Sequence, residues 1–162
     1  KNKIARNVFG YAKTASTRAK ARELGYMDKI FDTLVETVND ADLIILCAPV
    51  GSNADIMRDI QGHLKKGSII TDVGSVKKAV IDQVDKYVPD GVSFIPGHPI
   101  AGTEFSGPES GFAELFYKKC CVLTPYTETD KVHLDQMISF WEVFLPGGKL
   151  SWRRPKHSFP LM

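Results

Sequence analysis

Ser68-Ile69-Ile70-Thr71, running straight into Asp72-Val73-Gly74-Ser75-Val76-Lys77, is the stretch that decides the fold. The first four residues follow Lys66-Gly67, a turn pair, and read as a short buried strand. After Ser75, the residues Val76, Val80, Val84, Tyr87 and Val88 recur at helical spacing, so strand, turn and helix follow one another directly. A second passage repeats the opening half of this form. The apolar run 92–96 leads into Gly97-His98-Pro99-Ile100-Ala101-Gly102-Thr103-Glu104. Two such strands would end at the same rim of a parallel sheet, which is where open α/β folds bind ligands. A histidine flanked by glycine and proline at a strand end has its direction set by the backbone, and this favours a functional site.

The same alternation extends outward in both directions. Leu43-Ile44-Ile45-Leu46-Cys47-Ala48 is a near-continuous apolar run closed by Pro49, the mark of a strand covered on both faces, and is expected at the centre of the sheet. Within 52–64, Ile56, Met57, Ile60 and Leu64 recur at helical spacing. Upstream, a short apolar run at 7–12 precedes Thr14 or Ser16 as a helix N-cap, with Gly25 as the stop, and Asp32 opens a short helix at 33–39. Downstream, a strand at 120–124 leads to a helix whose Leu134, Met137, Ile138, Trp141, Phe144 and Leu145 form one apolar stripe. The segment 146–162, rich in Gly, Pro and Arg, is expected to be irregular. The fold class is therefore α/β, a parallel sheet with helices on both faces.

Composition narrows the function classes. At 162 residues, 43% hydrophobic and 25% charged, the chain has the globular balance and the length to bury one core. A net charge of +2, from 21 basic and 19 acidic residues spread along the chain, gives no argument for nucleic acid or a membrane surface. No apolar run approaches the roughly 20 residues needed to span a bilayer. Cys47, Cys120 and Cys121 make neither an even disulfide framework nor a metal-ligand spacing, so no metal is expected and a reducing cytoplasm fits. The chain opens on Lys1 rather than methionine and is expected to be a piece of a longer protein.

These segments resemble the prephenate and arogenate (cyclohexadienyl) dehydrogenase family. The similarity runs over 8–141 and is most specific at 42–51, 71–77 and 94–116, where Gly97 to Glu104 followed by Ser106-Gly107-Pro108 is close to a family signature. The resemblance implies a Rossmann-type nucleotide-binding domain over 1–145. It also implies oxidative decarboxylation of prephenate or arogenate in tyrosine biosynthesis, with NAD or NADP as hydride acceptor. The complete protein would be a homodimer through a second, helical domain. By the same resemblance His98 matches the family's catalytic histidine and Ser75 the serine that hydrogen-bonds it. Ala48, Pro49 and Val50 would lie against the adenosine half of the cofactor. Lys13, Thr14, Asp72 and Gly74 are further cofactor candidates, and Gly102, Thr103 and Glu104 are substrate candidates. The chemistry suits a histidine: a neutral imidazole accepting the hydrogen bond of the ring hydroxyl promotes its conversion to a carbonyl as hydride departs.

Blander readings stand beside these. Ser75 also suits the N-cap of the following helix, Gly74 a turn, Pro49-Val50-Gly51 a strand end, and Thr103 and Glu104 the cap of a local turn. His63, His133 and His157 lack partners at ligand spacing and are expected at the surface. The chain also departs from the family pattern. No Gly-x-Gly-x-x-Gly occurs, so the first strand-turn-helix is expected to be missing, as is the C-terminal helical domain. The stripe on the last helix is then expected to be partly uncovered. Where relatives carry an acid for the ribose hydroxyls, Ala12-Lys13-Thr14 stands instead, and Lys13 with Arg18 would attract a 2′-phosphate. Another nicotinamide-dependent dehydrogenase and a non-catalytic binding domain remain as alternatives.

Overall fold

A computed structural model of the chain describes residues 4–103 and 105–152. Strand β1 (Phe9–Gly10) leads into helix α1 (Ala15–Leu24), which Thr14 caps by accepting from the Thr17 N–H at 3.2 Å. Strand β2 (Lys29–Ile30) precedes helix α2 (Leu34–Val38). There Thr33 is the N-cap: its hydroxyl accepts from the Glu36 N–H at 3.2 Å and donates to the Glu36 carboxylate at 2.7 Å. Strand β3 (Leu43–Leu46) and helix α3 (Asn53–Ile60) follow, then strand β4 (Ile69–Asp72), helix α4 (Lys77–Val84) and strand β5 (Ser93–Phe94). The chain continues through β6 (Gly97–Ile100), β7 (Cys120–Leu123), helix α5 (Lys131–Phe144) and β8 (Lys149–Trp152).

Strands β1 and β2 pair in parallel, and β3-β4-β5 form a parallel sheet with β4 in the middle. Strands β5 and β6 are two halves of one bent stretch. The first pairs with β4, up to the bond from the Ile95 N–H to the Ile70 carbonyl at 2.8 Å, and the second pairs with β7. The β6–β7 pairing is antiparallel, because the chain leaves β6 and re-enters β7 at the same end; β7 and β8 run parallel. Helices cover both faces through period-2 alternation. Ile44, Leu46, Ile70 and Phe94 pack with Val38, Met57, Ile60, Val80 and Val84 on one side. Ile69 and Ile95 pack with Cys121, Leu123, Met137, Trp141 and Leu145 on the other. No helix among the described residues is long and apolar enough to cross a membrane.

Three expectations change. Strand β3 lies at the edge of its sheet, not the centre, and Ile45 is 38% exposed; β4, with all four residues buried, holds the central place. The stripe on α5 is covered more than expected: Leu134, Met137, Trp141 and Leu145 are buried, the last three packed with Ile69, Ile95, Cys121 and Leu123, while Phe144 is partly exposed. Residues 149–152, expected to be irregular, form β8, while 153–162 lie outside the described residues. The glycines explain this: Gly148 passes so close to the Lys119 carbonyl that a Cβ would strike it, and this approach lets the Lys149 N–H donate to Lys119 at 3.0 Å and start the β7–β8 ladder.

Asp130 caps α5, accepting from the N–H groups of Val132 at 2.7 Å and His133 at 3.1 Å. Asp130→Ala is therefore expected to lower the unfolding free energy by about 1 kcal/mol, read from the urea midpoint at constant m-value.

Candidate active site

The carboxyl ends of β3, β4 and the β5–β6 bend converge on one rim. Beyond β3, Ala48 and Pro49 lead into a 3₁₀ turn, Val50–Ser52, that opens α3. A Cβ on Gly51 would meet nothing within 4 Å, so the turn borders open space. Asn53, the first residue of α3, is 2% exposed, and its buried side-chain oxygen has no hydrogen-bond partner among the described residues. A buried acceptor left unpaired is costly and is the kind of group a ligand donor satisfies. Nothing in the local pattern marked Asn53, because Asn at a helix start reads as a cap.

At the end of β4 the central feature is Asp72, 1% exposed. One carboxylate oxygen accepts from the Gly74 N–H at 2.8 Å and from the Lys77 ammonium, and the other accepts from the Gly97 N–H at 3.1 Å. Lys77 also donates to the Gly97 carbonyl at 2.6 Å. Burial pushes the Lys77 ammonium below its usual range, against the opposing hydrogen bond and charge of Asp72. Asp72 was expected to face cofactor, but its oxygens are taken up inside the protein, as a buried carboxylate requires. It braces the rim. Gly74 donates to this carboxylate from the turn between β4 and α4.

Ser75 is exposed and does not cap α4, whose N-cap position is Val76 without a side-chain cap bond. His98 lies within β6, half-buried between buried Gly97 and Pro99, and its register partner is Val122 on β7. The side chains of Ser75 and His98 share no hydrogen bond among the described residues. Next to them burial pushes the Cys121 thiol up to about 12, although the His98 backbone and the Lys77 charge pull it down. At that value it stays protonated and is no nucleophile.

The remaining candidates lie on the segments after β1 and β6. Lys13 is exposed, and Thr14 spends its hydroxyl on the N-cap of α1. Gly102 and Thr103 are exposed after β6, where the Thr103 hydroxyl closes a turn by donating to the Phe105 carbonyl at 3.1 Å and accepting from its N–H at 3.3 Å. Glu104 lies outside the described residues. His63 is exposed as expected, and His157 also lies outside the described residues. His133 differs from expectation: it is half-buried, with Nδ1 2.7 Å from the Ser93 hydroxyl, in a cleft of about 460 Å³. That cleft borders Ser93, at the opposite end of β5 from the rim.

A parallel sheet sandwiched by helices, with its polar loops gathered at the strand carboxyl ends, defines a Rossmann-type nucleotide-binding domain. The chain belongs to the family described as prephenate dehydrogenase, nucleotide-binding domain, which matches residues 1–148. It is 36% identical to the cyclohexadienyl dehydrogenase of Zymomonas mobilis over 147 residues, 91% of this chain and 49% of that protein. It is 30% identical to the Bacillus subtilis prephenate dehydrogenase over 138 residues, 85% of this chain and 37% of that protein. Among solved structures, Synechocystis arogenate dehydrogenase superposes with a TM-score of 0.80 at 31% identity, covering 91% of this chain and 51% of that one. Aquifex aeolicus prephenate dehydrogenase, in complex with hydroxyphenyl propionate and NAD+, superposes with a TM-score of 0.82 at 28% identity, covering 96% and 53%. The chain thus spans about half the length, or less, of the curated relatives it matches.

Proposed function

We propose that this chain is the cofactor-binding half of a dehydrogenase that oxidatively decarboxylates prephenate or arogenate, with His98 as the acid-base residue. The observation that carries the reading is the placement of His98 on the strand leaving the rim, over a brace that fixes the backbone before it. When bound, a nicotinamide nucleotide supplies the hydride acceptor. The residues fit such a group. The open turn at Gly51 and the unpaired Asn53 oxygen can take its polar adenosine half, with Ala48, Pro49 and Val50 beside it. Gly74 and Ser75 border the nicotinamide side. On the substrate, His98 accepts the proton of the ring hydroxyl as the carbon bearing it loses hydride and becomes a carbonyl. Cleavage of the ring-to-carboxylate bond then releases carbon dioxide and leaves its electron pair in the ring, which becomes aromatic. Ser75, exposed beside the rim, is a hydrogen-bonding group for the imidazole or the nicotinamide. Gly102 and Thr103, with Glu104, form the substrate side.

Direct titration tests the cofactor reading. The 162-residue chain binds NAD or NADP weakly if it is a dehydrogenase half, and neither nucleotide if it is a scaffold. The choice between the two nucleotides rests on the end of β1. Arg18 donates to the Ala12 carbonyl at 2.8 Å and to the Lys13 carbonyl at 3.1 Å, and is paired with Asp32 at 2.9 Å, so its guanidinium is held beside the loop where a 2′-phosphate would sit. With no acid at Ala12 to repel that phosphate, NADP is accepted. Ala12→Asp is expected to shift the NADP-to-NAD affinity ratio about tenfold or more towards NAD, on the order of 1.4 kcal/mol. An unchanged ratio in the two titrations would refute the assignment.

A further inference from the structure

We infer that the buried pair Asp72 and Lys77 acts as a positioning device for His98, holding the backbone on its amino side so that the imidazole points at the rim. The inference rests on the dehydrogenase reading above and goes beyond it by giving Lys77 a role. The chain enters His98 through Gly97, and both backbone groups of Gly97 are held by this pair. Its N–H donates to one oxygen of Asp72 at 3.1 Å, and its carbonyl accepts from the Lys77 ammonium at 2.6 Å. Lys77 in turn is tied to the other Asp72 oxygen, which also takes the Gly74 N–H at 2.8 Å.

Two further observations make this a directional device and not only a surface ion pair. Asp72 is 1% exposed and the Lys77 side chain 18%, so the pair works in a medium where charge-assisted bonds are strong and an unpaired member is costly. The site also admits only glycine at position 97, since a Cβ there would lie 2.9 Å from the Asp72 carbonyl oxygen and 3.1 Å from the Thr71 hydroxyl. Chain ends from β4, α4 and β6 therefore meet at one carboxylate, and the residue that follows is His98. Misplacing a reacting group by about 1 Å can cost about 100-fold in rate.

The test is a mutant cycle on turnover in the full-length protein, with each variant's fold checked by thermal melting. Lys77→Met is expected to lower kcat about 10- to 100-fold while leaving the KM for the nicotinamide nucleotide unchanged. In a His98→Asn background the same substitution is expected to change kcat less than about twofold, because its effect passes through the imidazole. Asp72→Asn with Lys77→Met removes both charges together, so no buried charge is left alone, and is expected to show the same dependence on His98. Equal fold-losses with and without His98 would overturn the inference, as would loss of the folded state in both Lys77 variants, which would make the pair a brace of the fold alone. A wild-type full-length protein without turnover would instead overturn the dehydrogenase reading itself.

Discussion

In the full-length protein, His98→Asn is expected to lower turnover about 10²- to 10⁴-fold, on the order of 3–5 kcal/mol of transition-state stabilisation, with little change in substrate KM. Asn keeps a polar group near the first atoms of the ring but has no basic nitrogen to take the hydroxyl proton. The fold should be indifferent. His98 is only half-buried, its register partner across the ladder is Val122, and its neighbours Gly97 and Pro99, not its ring, are the buried residues of β6. The separation of kcat from KM is the informative part, since an interaction made only in the transition state lowers kcat and kcat/KM together. Near-normal turnover would remove His98 from the mechanism.

Trp141→Ala is expected to destabilise the domain by about 3–5 kcal/mol, read from urea unfolding. Trp141 is 2% exposed at the centre of the α5 face. Its ring meets Phe116 at 5.7 Å and Phe140 at 5.5 Å, both edge-to-face, and it packs with Met137 and Leu145 against β7. Removing the indole leaves a cavity between α5 and the sheet that neighbours fixed on strands cannot fill. Trp141→Phe should cost less, because its indole N–H is buried without a partner among the described residues and the smaller ring removes that unpaired donor. A loss below about 1 kcal/mol for the alanine variant would mean that α5 does not close the core.

Both variants probe the part of the fold that the sequence pattern made legible. Period-2 apolar runs and helical spacing located β3, β4, α3, α4 and α5, because burial on one face is written directly into residue type. Thr14 marked the start of α1 through a side-chain oxygen that can reach the third N–H, whereas α2 is capped by Thr33, one residue past the Asp32 expected to open it, whose carboxylate pairs with Arg18 and Arg22 instead. The rank of strands was less visible: the Leu43 to Ala48 run is as apolar as a central strand, yet which strand lies in the middle depends on pairing over long separations. The strand β8 was hidden because Gly147 and Gly148 look like breakers, whereas here a glycine permits the close approach that starts the ladder.

For the proposed site, His98 stood out by residue type beside a turn and Ser75 through the family resemblance; Ser75 follows β4 and His98 lies in β6. Asp72 was read as a cofactor contact because a carboxylate at a strand end suggests one, and its burial and three internal donors were not visible in the pattern. Lys77 lay inside the singled-out stretch 71–77 but was given no role, because its bond to the Gly97 carbonyl comes from a segment 20 residues away, and Asn53 carried no signal because its buried oxygen depends on a turn whose geometry no pattern encodes.

The most direct test of the account is a product balance on the full-length protein, supplied with prephenate or arogenate and with NAD or NADP. The account predicts reduced nicotinamide, carbon dioxide and phenolic product in equal amounts for at least one combination of substrate and nucleotide, and their joint loss in His98→Asn. Nucleotide reduction without carbon dioxide release, or no reduction with any combination, would contradict it.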